Sequence, residues 1–215
     1  MMSVLDRVVR AGEPDRKSRF HDRDGHLLPV SSLMSVPLMA LDLGLRAIGH
    51  RRAVPWLSYR AVRDIEKLVR HDWRVLEFGA GNSTIWFAQR VATVVSIESS
   101  PEWYGRVSTL LARSDFKNVR LLQRDSVSYA EPFAEGPFDF ALVDGDVRTA
   151  CAKTAVELLR SDGYLYLDNV DKDAHDAEQF VRGQLARKAN YRVYVDFAPG
   201  LAQVTRGLLV HLQPD

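Results

Sequence analysis

Val75-Leu76-Glu77-Phe78-Gly79-Ala80-Gly81-Asn82-Ser83-Thr84 decides the fold of this chain. An apolar run, Arg74 to Phe78, ends at two glycines, and a helical pattern from Asn82 to Arg90 follows at once. Glycine lets a backbone turn sharply and approach a ligand with no Cβ in the way. The helix behind it offers free N–H groups at its start. A second apolar run, Val94-Val95-Ser96-Ile97, closes on Glu98, nineteen positions past Gly79. An acid at that distance is placed to accept hydrogen bonds from a ribose diol. The segment reads as a nucleoside-binding strand–helix–strand unit.

A dinucleotide fingerprint needs a third glycine for close helix–strand packing near a pyrophosphate. Thr84 stands in that place. Glu77 would repel a pyrophosphate and suits a ligand carrying a cationic amine or sulfonium. The run Glu77-Phe78-Gly79-Ala80-Gly81-Asn82-Ser83 resembles the first motif of the class I S-adenosylmethionine-dependent methyltransferases. The resemblance implies a cofactor loop at Glu77, Gly79, Ala80, Gly81, Asn82 and Ser83, with Glu98 and its neighbour Ser99 at the ribose. It also implies an adenine grip at Asp125 and Ser126. Two readings compete: an NAD(P)-linked oxidoreductase, weakened by Thr84 and the lack of a Tyr-x-x-x-Lys pair, and a cofactor-binding scaffold without catalysis.

Bulk properties narrow the class. A chain of 215 residues is one domain, or one domain with an extension. Its 29 Lys and Arg against 28 Asp and Glu leave no electrostatic footprint of a nucleic-acid binder. Cys151 is the only cysteine, which excludes an internal disulfide and a cysteine-built metal site. Leu27 to Leu41 is uncharged for fifteen residues with two prolines inside, too short to cross a bilayer. No transmembrane segment and a cytoplasmic location are therefore expected, with a small-molecule acceptor as the partner.

Residues 10 to 26 are dense in charge with Gly, Pro and Asp, and predict a mobile or loosely packed arm. Leu33 to Ile48 is apolar on nearly every side. That pattern predicts a helix buried against the rest or against a second copy, with a membrane-surface helix or a substrate lid as alternatives. Helices over 30–58 are expected to cover the cofactor, making 1–58 an extension and 59–215 the cofactor-binding domain.

From Trp56 onward, helical and strand patterns alternate: helix 56–71, strand 74–78, helix 83–91, strand 93–98, helix 102–113 and strand 119–123. Strands at 138–143 and 164–167 follow, with helices at 147–160 and 173–189. Strands separated by crossover helices imply a parallel sheet. The last two, 191–197 and 204–212, are too close for a crossover and must pair antiparallel. The expected fold is α/β: a doubly wound, seven-stranded, mostly parallel sheet ending in an antiparallel hairpin, with helices on both faces and a helical N-terminal extension.

In such a sheet the ligand lies beyond the carboxyl ends of the strands. Asp144-Gly145-Asp146 after the fourth strand and Asp168-Asn169 after the fifth resemble the corresponding segments of the metal-dependent catechol and caffeoyl-CoA O-methyltransferases. The resemblance implies a divalent-cation site at Asp144, Asp168 and Asn169, and hard oxygen donors suit Mg²⁺ or a similar ion. Those enzymes carry a lysine base three residues past the first Asp; here Val147 stands there and Arg148 follows. Arginine is too strong a base to serve. Asp144 is then the candidate base, and His175, seven residues past Asp168, the second catalytic candidate. The function expected is O-methylation of a small hydroxylated, sugar-like or natural-product metabolite.

Overall fold

The computed structural model describes residues 16–50, 52–132 and 134–214. Seven strands form one sheet in the order β3-β2-β1-β4-β5-β7-β6. They are β1 (Arg74–Phe78), β2 (Thr93–Glu98), β3 (Val119–Gln123), β4 (Phe138–Val143), β5 (Leu159–Leu167), β6 (Ala189–Phe197) and β7 (Val204–Leu212). The first five are parallel neighbours, and β7 runs antiparallel to both β5 and β6. The chain order therefore reverses between β1 and β4, and the polar residues of interest collect at that switch point.

Among the described residues six α-helices accompany the sheet: α1 (Val36–Ala47), α2 (Tyr59–Leu68), α3 (Asn82–Ala88), α4 (Pro101–Ala112), α5 (Arg148–Leu158) and α6 (His175–Leu185). Strands β1 and β4 are apolar and buried because helices cover both faces of the sheet. On one face Leu76, Phe78, Ala141 and Val143 pack with Cys151 and Ala155 of α5 and Val181 of α6. On the other, Val75, Phe140 and Leu142 pack with Ile65 of α2 and Phe87 of α3. Strand β5 begins earlier than its apolar pattern, at Leu159, because a register irregularity opposite β4 admits the polar Arg160 to Gly163.

The N-terminal region departs from two expectations. Residues 16–28 are packed rather than loose, while residues 10–15 of the expected arm lie outside the described residues. Phe20 meets Phe197 edge-on at 5.9 Å, Leu28 joins the same cluster, and Val204 N–H donates to the Arg19 carbonyl. The charge of this segment turns inward: Asp22 is fully buried and accepts from the N–H and ring of His26. The second departure is α1. Of its apolar side chains Val36 and Met39 pack partly against the Phe197 cluster, most of the others stay outside, and polar residues share the inner side. Ser35 donates to Asp196 at 2.8 Å, and the buried Asp42 takes both Arg52 guanidinium contacts and the Tyr59 hydroxyl. A 3-10 turn, Val30–Ser35, runs into α1, so Val30–Ala47 forms 18 helical residues of mean hydropathy 1.2, long and apolar enough to cross a bilayer by composition alone. Only 17% of that stretch is buried.

Candidate active site

The loop after β1 is built by hydrogen bonds from the motif itself. Gly79 takes φ +102°, and a Cβ there would sit 2.7 Å from the Gly145 nitrogen. Backbone conformation and space both require glycine. Gly79 N–H donates to Ile97 O at 2.9 Å, Ala80 N–H to Glu98 Oε2 at 3.0 Å, and Gly81 N–H to Thr84 Oγ1 at 3.0 Å. Thr84 in turn donates to Glu77 Oε2 at 2.5 Å, which also accepts from Ser96 at 2.6 Å. The residue that replaces the third glycine is thus the strut between loop and strand. Three backbone donors that a pyrophosphate would use are already engaged, a physical reason against a dinucleotide.

Glu77 lies one layer behind the loop. It is fully buried, and its Oε1 makes no hydrogen bond. Burial, against the hydroxyls of Ser83, Ser96 and Thr84, pushes its carboxyl up to about 7. It does not line the cavity beyond the strand ends and reaches the loop only through Thr84.

Beyond the strand ends opens a cavity of about 1050 Å³. One wall is the loop Gly79 to Ser83, with Glu98 and Ser99; the facing wall is Asp144 to Ala150, with Asp173; Trp56, Trp103 and Arg106 close the side. Glu98 accepts from Ala80 and Ser100 N–H groups at 3.0 and 2.8 Å. A carboxylate has about four acceptor sites, so positions remain for two further hydroxyls. Ser99 donates to Asp146 at 2.6 Å, joining the walls beneath the cavity.

Asp144 and Asp168 come together at the ends of β4 and β5. Asp168 is buried, with Oδ1 unpartnered and Oδ2 accepting from Asn169 Nδ2. Burial first, then the negative charge of Asp144, holds Asp168 well above the usual carboxylate range. Burial also raises Asp144 to about 6, against the opposing pull of Arg148 and of the neighbouring Asp168 carboxyl. The pair keeps a proton between its members. Arg148, set on the first turn of α5 by the left-handed Val147 before it, clamps the region. It donates to Gly145 O at 2.9 Å, Asp168 O at 2.5 Å, Asp144 O at 3.0 Å and Asp144 Oδ1 at 3.2 Å.

Other expected residues are placed elsewhere. Asp125 is exposed after β3, where its Oδ1 accepts from Val127 N–H, Ser128 N–H and the Ser128 hydroxyl; neither it nor Ser126 lines the cavity. His175 is exposed at the start of α6 and pairs with Gln179 at 2.9 Å, away from the cavity wall. Of the helices expected to cover the site, none lines the large cavity; Trp56 reaches it, edge-on to Trp103 at 6.2 Å. Sequence reasoning missed Asp173 and Arg106, and noted Arg148 only as an unsuitable base. The available signal was a cation opening the helix directly behind an acidic strand end.

Residues 76–170 match a family described as a methyltransferase domain. With the switch-point loop and the strand order, this match marks the fold as that of the class I S-adenosylmethionine-dependent methyltransferases. The chain is similar to the O-methyltransferase TomG from Streptomyces achromogenes, involved in tomaymycin synthesis and solved with SAM, at 16% identity and TM-score 0.62 over 81% of this chain and 89% of that one. It is similar to cofactor-bound Rv0187 from MTB at 21% identity and TM-score 0.61, over 86% and 96% of the two chains. An rRNA methylase from Streptococcus thermophilus gives 14% identity and TM-score 0.59, over 72% and 95%. No protein of curated function matches the sequence.

Proposed function

We propose that the chain transfers a methyl group from S-adenosylmethionine to an oxygen of a small hydroxylated acceptor, sugar-like or a natural product. The carrying observation is the facing of Asp144 and the Gly79–Ser83 loop with Glu98 across one cavity. The residues fit the cofactor: a glycine turn without room for a Cβ, and a carboxylate with acceptor positions to spare. When bound, S-adenosylmethionine supplies an electrophilic methyl on a sulfonium.

This chain's residues supply the rest. The loop and Glu98 hold the donor. Asp144 accepts the acceptor's hydroxyl proton, and its raised affinity for protons suits a base working near neutrality. Arg148 fixes Asp144 without competing for that proton. Asp144, Asp146 and Asp173 on one wall repel a polyphosphate backbone, while Arg106 is engaged by Glu102 at 2.6 Å. This favours a small neutral acceptor over RNA. We read residues 1–58 as an extension contributing Trp56, and 59–215 as the cofactor-binding domain.

The unpartnered Asp168 Oδ1 favours a second reading, in which Asp144, Asp168 and Asn169 hold a divalent cation that acidifies the acceptor hydroxyl. Among the described residues, the His, Cys, Asp and Glu side chains that gather as a trio within 4.8 Å are elsewhere: Asp22, Asp24 and His26. The test is transfer of labelled methyl to a panel of phenols, sugars and hydroxylated amines, with and without a chelator. Labelled ether products support the proposal, and loss on chelation restored by Mg²⁺ selects the cation. Labelling of RNA or of amines alone overturns it.

A further inference from the structure

Helix α1 and the turn before it leave most of their apolar surface outside. Amphipathic helices of globular proteins turn apolar stripes inward, yet here only Val36 and Met39 pack partly against the protein, and the polar Ser32 and Ser35 of the turn and Asp42 of the helix share that inner side. The outward stripe is apolar over its whole length: Val30 is 81% exposed, Met34 74%, Leu41 51% and Ile48 72%, with Leu38 between them. No charge interrupts the stripe from Val30 to Leu41. At its end stand Arg46 and His50, both exposed, followed in sequence by Arg51 and Arg52. The one acid between Leu27 and Arg52 is Asp42, which is buried and paired with Arg52.

We propose that this face docks the protein on an anionic lipid surface, with the 3-10 turn and α1 lying flat in the headgroup layer. The polar contacts to Val195, Asp196, Arg52 and Tyr59 tie the helix to the domain and oppose its spanning a bilayer. Apolar side chains on one face with arginines at the rim are the physical requirement for interfacial binding. Charge decides between lipid and a second copy. A two-fold interface must be self-complementary, and this segment presents cations with no accessible acid to receive them. A layer of anionic headgroups receives them directly.

Flotation of the full chain with phosphatidylcholine vesicles, with and without phosphatidylserine, tests the proposal. The wild-type chain binds the anionic vesicles and not the neutral ones, and more weakly at high salt. The double variant Leu38→Asp, Leu41→Asp loses binding by at least about tenfold, since affinity follows buried apolar area. Arg46→Gln weakens it by about fivefold. Circular dichroism checks folding; if the double variant does not fold, Met34→Gln with Ile48→Gln, at more exposed positions, takes its place. Equal or absent binding to both vesicle types overturns the proposal. So does a wild-type mass of two chains that falls to one in the variant, which assigns the face to a second copy.

Discussion

Replacing Glu77 with glutamine changes stability in a pH-dependent way whose size follows from burial. The carboxyl is raised from 4.5 to about 7 because it is wholly buried and only one of its oxygens is hydrogen-bonded. Below pH 4.5 it is protonated in both folded and unfolded chains, and stability is intact. Between 4.5 and about 7 the unfolded chain ionises first and binds fewer protons, so stability falls as pH rises. Above 7 the loss is complete, about 3 kcal/mol for about 2.5 units at 1.36 kcal/mol each. Glutamine does not titrate. Its carbonyl can still accept from Thr84 and Ser96, while its amide nitrogen, replacing the unpartnered Oε1, brings a fixed cost of about 1–3 kcal/mol if it finds no acceptor. That cost is independent of pH. Urea unfolding at pH 5 and pH 8, without ligand, should show the variant gaining about 2.5 kcal/mol on wild type between the two. A difference constant within about 1 kcal/mol would refute the assignment of a buried, proton-holding Glu77.

Three further outcomes follow from the site. Glu98→Ala should weaken S-adenosylhomocysteine binding by roughly 10- to 150-fold, the value of hydrogen bonds to a charged group; Glu98→Gln should lose less, and calorimetry giving wild-type affinity for both variants would remove Glu98 from the ribose. Arg148→Met should cost on the order of 3 kcal/mol in urea unfolding, because Asp144 loses its cation and two β-strand ends lose their clamp. The log of kcat/KM should fall as pH drops through about 6, where Asp144 takes up its proton; Asp144→Asn should lower kcat about 10²- to 10⁴-fold, and an unchanged acid limb in that variant's residual rate would contradict its role as base.

Much of the sheet was legible because its strands are apolar runs with clear ends. The bounds of β1, β2, β3, β4 and β7 coincide with the patterns read from sequence. Strand β5 was read short because Arg160 to Gly163 are polar, and only the register irregularity against β4 explains their place. The loop residues were legible for a local reason: turn chemistry at Gly79 and the acid at Glu98 are fixed by neighbours in sequence. Asp125 and His175 show where that reasoning stops. A short polar residue after a strand serves equally as a turn cap, and Asp125 is spent on Ser128 and Val127. The inward polarity of α1 was hidden because the partners of Ser35 and Asp42 include Asp196, 161 residues from Ser35. An apolar sequence says that a helix wants cover, not which side receives it.

The loop with Glu98 is built for a single nucleoside bearing a sulfonium-type tail and not for a dinucleotide. The most direct measurement is calorimetric titration of the wild-type chain with S-adenosylhomocysteine and, separately, with NAD. Saturable binding of S-adenosylhomocysteine at one site per chain is expected, with no heat from NAD, whose pyrophosphate would meet N–H groups of Ala80 and Gly81 already held by Glu98 and Thr84. Saturable binding of NAD, or no binding of S-adenosylhomocysteine by the folded chain, would contradict it.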